Sequence, residues 1–74
     1  MKKFIEENTE RDIKSFELTD DLYKRYLKYC ETYDLESISR RSFSYQLSKE
    51  RIGAYHKFRN KPARWGVKLL PCKY

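Results

Sequence analysis

A chain of 74 residues with a charged fraction of 38%, a hydrophobic fraction of 39% and a net charge of +6 is one small domain at most. No run approaches the roughly 18 apolar residues of a membrane span. With two Gly and two Pro, the composition is neither that of a linker nor that of a low-complexity chain.

The charge is divided unequally along the chain. Residues 1–38 carry seven Lys or Arg and ten Asp or Glu, a balance of −3. Residues 39–74 carry ten Lys or Arg and one acid, Glu50, a balance of +9. Such asymmetry predicts a two-sided molecule with one face drawn to polyanions.

In chain order, residues 1–8 read as a short helix, with Phe4 and Ile5 apolar and Glu6 and Glu7 outward. Ser15 to Leu18 alternates polar and apolar, which predicts a brief strand. Thr19 is a candidate N-cap, and Asp20 and Asp21 occupy the first turn, where the helix dipole favours negative charge. Leu22, Tyr26, Tyr29, Cys30 and Tyr33 form an apolar stripe on this helix, which is expected to run to about Asp34. After a short connection, Ser39 caps a second helix from Arg40 to about Ile52, with Phe43 and Leu47 on its buried face. Gly53 is expected to end it in a left-handed conformation. An aromatic-rich strand, Ala54 to Arg59, then leads through a turn at Asn60-Lys61-Pro62-Ala63 into a second strand, Arg64 to Leu70.

This order predicts an α+β fold of the winged-helix kind: a helix-turn-helix extended by a C-terminal β-hairpin, with three main helices and a short strand. In that arrangement the second helix of the pair enters the major groove. The face opposite Phe43 and Leu47 carries Arg41, Ser44, Tyr45, Ser48 and Lys49, all hydrogen-bond donors and none acidic. Arg41 and Tyr45, with Lys49 beside them, are the candidates for base contact, because a guanidinium matches the O6/N7 edge of guanine. Arg40, Lys57, Arg59, Lys61, Arg64 and Lys68 are the phosphate candidates, setting register and affinity. The expected ligand is double-stranded DNA, with residues 40–52 in the groove and residues 54–70 on the backbone or in the minor groove.

No phosphate-binding GxxxxGK loop, HExxH or GxSxG motif is present. With one His and no nucleophile–base pair, catalysis by this chain alone is not expected. Neither is a metal or a cofactor. Cys30 and Cys72 form no CxxC pattern and read as thiols of an intracellular protein.

The stretch Asp21-Leu22-Tyr23-Lys24-Arg25-Tyr26-Leu27-Lys28-Tyr29-Cys30 resembles the DLY..Y..WC segment near the C-terminus of phage, plasmid and poxvirus-type primase–helicases. Phe4-Ile5-Glu6-Glu7 looks like that family's Phe-and-paired-Glu helix, Ser39 to Leu47 is similar to its S...F...L helix, and Arg64 to Leu69 to its closing strand. Tyr29 stands where the family usually has Trp. The resemblance implies a winged-helix module that follows a superfamily 3 AAA+ helicase motor, implicated in some mobile-element members in recognising the replication origin. It further implies that residues 1–74 are one domain, the C-terminal fragment of a longer ATP-dependent initiator. Two other readings fit the same pattern: a protein-interaction module of the replication complex, and a stand-alone winged-helix phage repressor. Single-stranded DNA is a further expected partner where Tyr45, Tyr55 and Trp65 are exposed.

Overall fold

Seven residues, Lys2–Asn8, form α1 in the computed structural model, which describes residues 1–74. The helix buries Phe4 and Asn8. The Asn8 amide donates to the Phe4 carbonyl at 3.0 Å and to the Tyr74 hydroxyl at 2.9 Å, fastening the end of the chain to its beginning.

The strand β1 spans Thr9–Leu18, more than twice the length expected from its apolar alternation. Its first part, Thr9 to Arg11, pairs antiparallel with Val67 to Leu69, and its last part, Phe16 to Leu18, pairs with Ala63 to Trp65. Between them four residues, Asp12 to Ser15, stand opposite Gly66 alone, whose φ of 90° only glycine adopts readily. The Asp12 carboxylate accepts from the Lys14 N–H at 3.0 Å and from the Ser15 hydroxyl at 2.9 Å, which closes the bulge. Ile13 sits at its crest, 93% exposed.

The strand passes directly into α2 (Thr19–Thr32). Leu18, not Thr19, occupies the N-cap position, with no side-chain cap. Thr19 was expected to cap this helix; it is instead the first helical residue, fully buried, and its hydroxyl has no partner. The cause is the strand-to-helix junction, which turns Thr19 inward. Asp20 and Asp21 do lie in the first turn. Leu22, Tyr26, Tyr29 and Cys30 are buried as expected, whereas Tyr33, past the end of the helix, is half exposed and packs on the Tyr29 ring. The exit is a left-handed cap: Asp34 has φ 54°, and the Leu35 N–H reaches back to the Cys30 carbonyl at 2.8 Å.

Ser39 caps α3 (Arg40–Lys49), its hydroxyl accepting from the Ser42 N–H at 3.2 Å. Phe43 and Leu47 are buried. The helix stops three residues before Ile52, and Gly53 is not what stops it. Arg51 takes the left-handed position at φ 57°, with Arg51 N–H on the Ser48 carbonyl at 3.1 Å and Ile52 N–H on the Leu47 carbonyl at 2.9 Å. Gly53 serves the sheet. Its φ is 65°, and a Cβ there would lie 2.7 Å from the Trp65 carbonyl oxygen.

The hairpin consists of β2 (Ala54–Phe58) and β3 (Lys61–Leu69), joined by Arg59 and Asn60 at φ 50° and 66°. Two left-handed residues make a type I′ turn, which matches the twist of the strands. The turn therefore lies at Arg59-Asn60 rather than at the expected Asn60 to Ala63, and Pro62 is inside β3. The two-residue turn makes Phe58 and Lys61 the hydrogen-bonded closing pair, so the next pair, Lys57 with Pro62, is not hydrogen-bonded. The Pro62 nitrogen then faces the β1 side, just beyond the last β1 pair, Leu18 with Ala63. Its missing N–H is not needed there.

The sheet order is β1-β3-β2, all antiparallel. Phe4, Leu22, Tyr26, Tyr29, Cys30, Phe43 and Leu47 form the core among the three helices. Phe4 meets Tyr26 and Tyr29 edge-on, each with ring centroids 5.4 Å apart. The result is α+β, three helices and a three-stranded antiparallel sheet, an arrangement compatible with a winged-helix-like domain. No helix is long and apolar enough to cross a membrane.

Candidate nucleic-acid interface

The Ser39 cap fixes where α3 begins, and with it the direction of every side chain that follows. Arg41, Tyr45 and Lys49 stand four residues apart and form one exposed stripe, with Tyr45 64% exposed. Between Arg40 and Lys49 there is no carboxylate. Arg40 turns back toward α2, where its Nε donates to the Asp20 carboxylate. Both partners are about half exposed. Such a surface pair contributes about 0–1 kcal/mol, so an incoming phosphate competes with it at little cost.

Ser44 and Ser48 lie along the side of α3 that meets the sheet. The Arg64 guanidinium donates there, to the Ser44 carbonyl at 3.2 Å and to the Ser48 hydroxyl. Arg64 is only 3% exposed. It sits on β3, opposite Tyr55 on β2 and Glu17 on β1, with its charge 5.7 Å from the Tyr55 ring centroid. No carboxylate pairs with it, and its buried Nε has no partner. Burial lowers the pKa of this guanidinium, and Tyr55 works in the opposite direction. A guanidinium remains charged even so. A buried cation held by a carbonyl, a hydroxyl and a ring is a strut between helix and sheet. Sequence reasoning placed Arg64 with the phosphate contacts; the structure withdraws its side chain from solvent and engages Ser48 as its partner.

The remaining hairpin cations divide by position. Lys57, Arg59 and Lys61 are exposed and cluster at the turn. From the level of Arg64 to the turn is four residues of strand, about 13 Å. The turn thus projects well past the point where α3 is fastened. Lys57 is on the α3 face of the hairpin, together with Tyr55 and Arg64, and Lys61 is on the other face. The Arg59 guanidinium lies 5.2 Å from the Phe58 ring centroid. Lys68 belongs to neither group. It is at the far end of β3, opposite Glu10, with Nζ 3.8 Å from the Glu10 carboxylate.

On the sheet face away from α3, three rings come together that sequence reasoning did not group. Phe16 of β1 stacks on Trp65 of β3 with centroids 4.3 Å apart and planes at 21°, and Phe58 of β2 is 4.6 Å from Phe16. The cross-strand pairing of Phe16 with Trp65 could not be found without knowing that β1 and β3 are neighbours.

No group of three or more His, Cys, Asp or Glu could hold a metal ion. What the arrangement offers is a cationic, donor-rich helix face and a cationic hairpin turn in fixed relation. Among known proteins, the family model described as poxvirus D5 protein-like matches residues 1–69. No curated protein and no solved structure matches the chain.

Proposed function

Because the chain belongs to the poxvirus D5 protein-like family, and is thus a replication-related domain, we propose that it grips double-stranded DNA with α3 in the major groove and the β2–β3 turn on the phosphate backbone. One observation carries this reading: an acid-free stripe of Arg41, Tyr45 and Lys49, held by the Arg64 strut at a fixed distance from Lys57, Arg59 and Lys61. Arg41 and Tyr45 are the base-reading groups and the turn cations are the phosphate grip. The Ser44 carbonyl and the Ser48 hydroxyl hold the Arg64 strut. On this reading the domain serves a longer initiator with a helicase motor, and origin sequence is what α3 reads.

The test is fluorescence anisotropy with duplexes selected by the domain and with scrambled duplexes, across salt. Three to five phosphate contacts give a log–log salt slope between about −2.7 and −4.5. Arg41→Ala should relax discrimination between the two duplexes by roughly 1–3 kcal/mol. Lys61→Ala should weaken both alike and reduce the slope by about 0.9. A flat salt response would remove the electrostatic account. A second reading, docking of a protein partner, draws on the exposed apolar side chains of Leu27, Tyr33, Leu35 and Ile38 around the exit of α2. Binding to a partner with no duplex affinity at low salt would favour it.

A further inference from the structure

We infer that the outer face of the sheet is a second nucleic-acid site, one that takes an unstacked base of single-stranded DNA on the Phe16–Phe58–Trp65 cluster. The cluster is placed by strand alternation. Arg64 and Tyr55 point toward α3, so their neighbours Trp65 and Phe58, with Phe16 across from Trp65, point the other way. No helix covers them, and Trp65 remains 38% exposed. Aromatic surface left open in so small a domain marks a contact.

Three features select a nucleotide as the occupant. Phe16 and Phe58, both in ring contact with Trp65, border an open cleft of about 370 Å³ that Leu18, Asp21, Arg59 and Lys61 also line. Arg59 and Lys61 stand at its hairpin edge, positioned for the phosphate of a strand whose base lies on the rings. Asp21 lies at its α2 edge, where a carboxylate can accept from an exocyclic amine or ring N–H. The other acid at this cleft, Glu17, alternates to the opposite face and accepts from the Leu69 N–H at 2.8 Å. The indole N–H is already used, donating to the His56 carbonyl at 3.2 Å, so Trp65, with one face stacked on Phe16, offers its remaining exposed ring surface and not a donor. Bases stack on such platforms with little regard to sequence. The inference shares the turn cations with the duplex reading but uses the opposite face of the hairpin.

Trp65 is the only tryptophan, so its emission reports on this face directly. The experiment titrates the domain with an oligothymidylate of about eight nucleotides, with an abasic strand of equal length, and with duplex. The oligothymidylate should quench Trp65 and the abasic strand should not. Phe58→Ala should weaken oligothymidylate binding by about fivefold to a hundredfold and duplex affinity by less than about twofold, through the Arg59 it supports. Phe58→Leu, which keeps apolar packing but not the ring, should act in the same direction. Arg41→Ala and Lys49→Ala should do the reverse, so that failure of duplex binding does not carry the single-strand site down with it. Equal quenching by the abasic strand, no quenching by oligothymidylate, or loss of single-strand binding in Arg41→Ala but not in the folded Phe58 variants would overturn the inference.

Discussion

Removing Arg64 should unfold the domain more readily before it does anything specific to DNA. The side chain is 3% exposed, donates to the Ser44 carbonyl and the Ser48 hydroxyl, and lies beside the Tyr55 ring. Each hydrogen bond from a charged donor contributes roughly 1.5–3 kcal/mol. Truncation also loses the packing of the aliphatic stem. Against this stands the cost of keeping a cation out of water, which its removal relieves. The balance for Arg64→Ala is a loss of about 2–4 kcal/mol. For a domain of this size each kcal/mol moves the melting temperature by about 4–8 °C, so thermal unfolding followed by circular dichroism should show a fall of about 8–32 °C. Arg64→Lys retains a donor but not the fork, and should lose roughly half as much. A phosphate contact behaves otherwise. Its removal would change stability by less than about 0.5 kcal/mol and make the salt slope shallower by about 0.9. An unchanged melting temperature with a shallower salt slope would refute the strut.

Gly53→Ala should cost about 2–3 kcal/mol, because the added Cβ meets the Trp65 carbonyl at 2.7 Å on a backbone already at φ 65°; chemical denaturation measures this. At the hairpin turn, Asn60→Gly should be tolerated and Asn60→Val should destabilise by about 1–2 kcal/mol, since φ 66° excludes β-branched residues; a reversed order in denaturant midpoints would move the turn elsewhere. The Asp12 carboxyl is held below its ordinary value by the Lys14 N–H first and the Ser15 hydroxyl second. Its contribution is therefore complete above the ordinary carboxylate range and is lost as the pH falls through the depressed value. NMR at falling pH should show the Ile13 and Lys14 amides shifting only below the ordinary aspartate range; a shift within that range would remove the Asp12 clamp.

The helices were legible because their signals are local. Ser39 with Phe43 and Leu47, and the run Leu22, Tyr26, Tyr29 and Cys30, carry cap and period within a few residues. The first half of β1 was not legible, since Thr9, Glu10 and Arg11 show no apolar alternation and owe their conformation to pairing with Leu69, Lys68 and Val67. The turn was misplaced by two positions because Asn60-Lys61-Pro62 reads as turn chemistry, while the reason Pro62 is acceptable in a strand is where β1 stops pairing. Arg64 was read as surface for a similar reason. Its partners, a carbonyl and a hydroxyl on α3, lie twenty and sixteen residues away and leave no mark in local spacing. Of the candidate interface, the stripe Arg41, Tyr45 and Lys49 followed from helical geometry alone. The separation of the hairpin cations into a turn group, a strut and a distant Lys68 required the fold.

The central claim, that α3 and the hairpin turn together hold duplex DNA, is tested most directly by a ¹⁵N NMR titration of the domain with duplex at low salt. Amides of Arg40 to Lys49 and of Lys57 to Lys61 should move together and saturate with one affinity, while those of α1 and of Lys68 stay in place. Shifts confined to α1 and the exit of α2, or none at all, would contradict it.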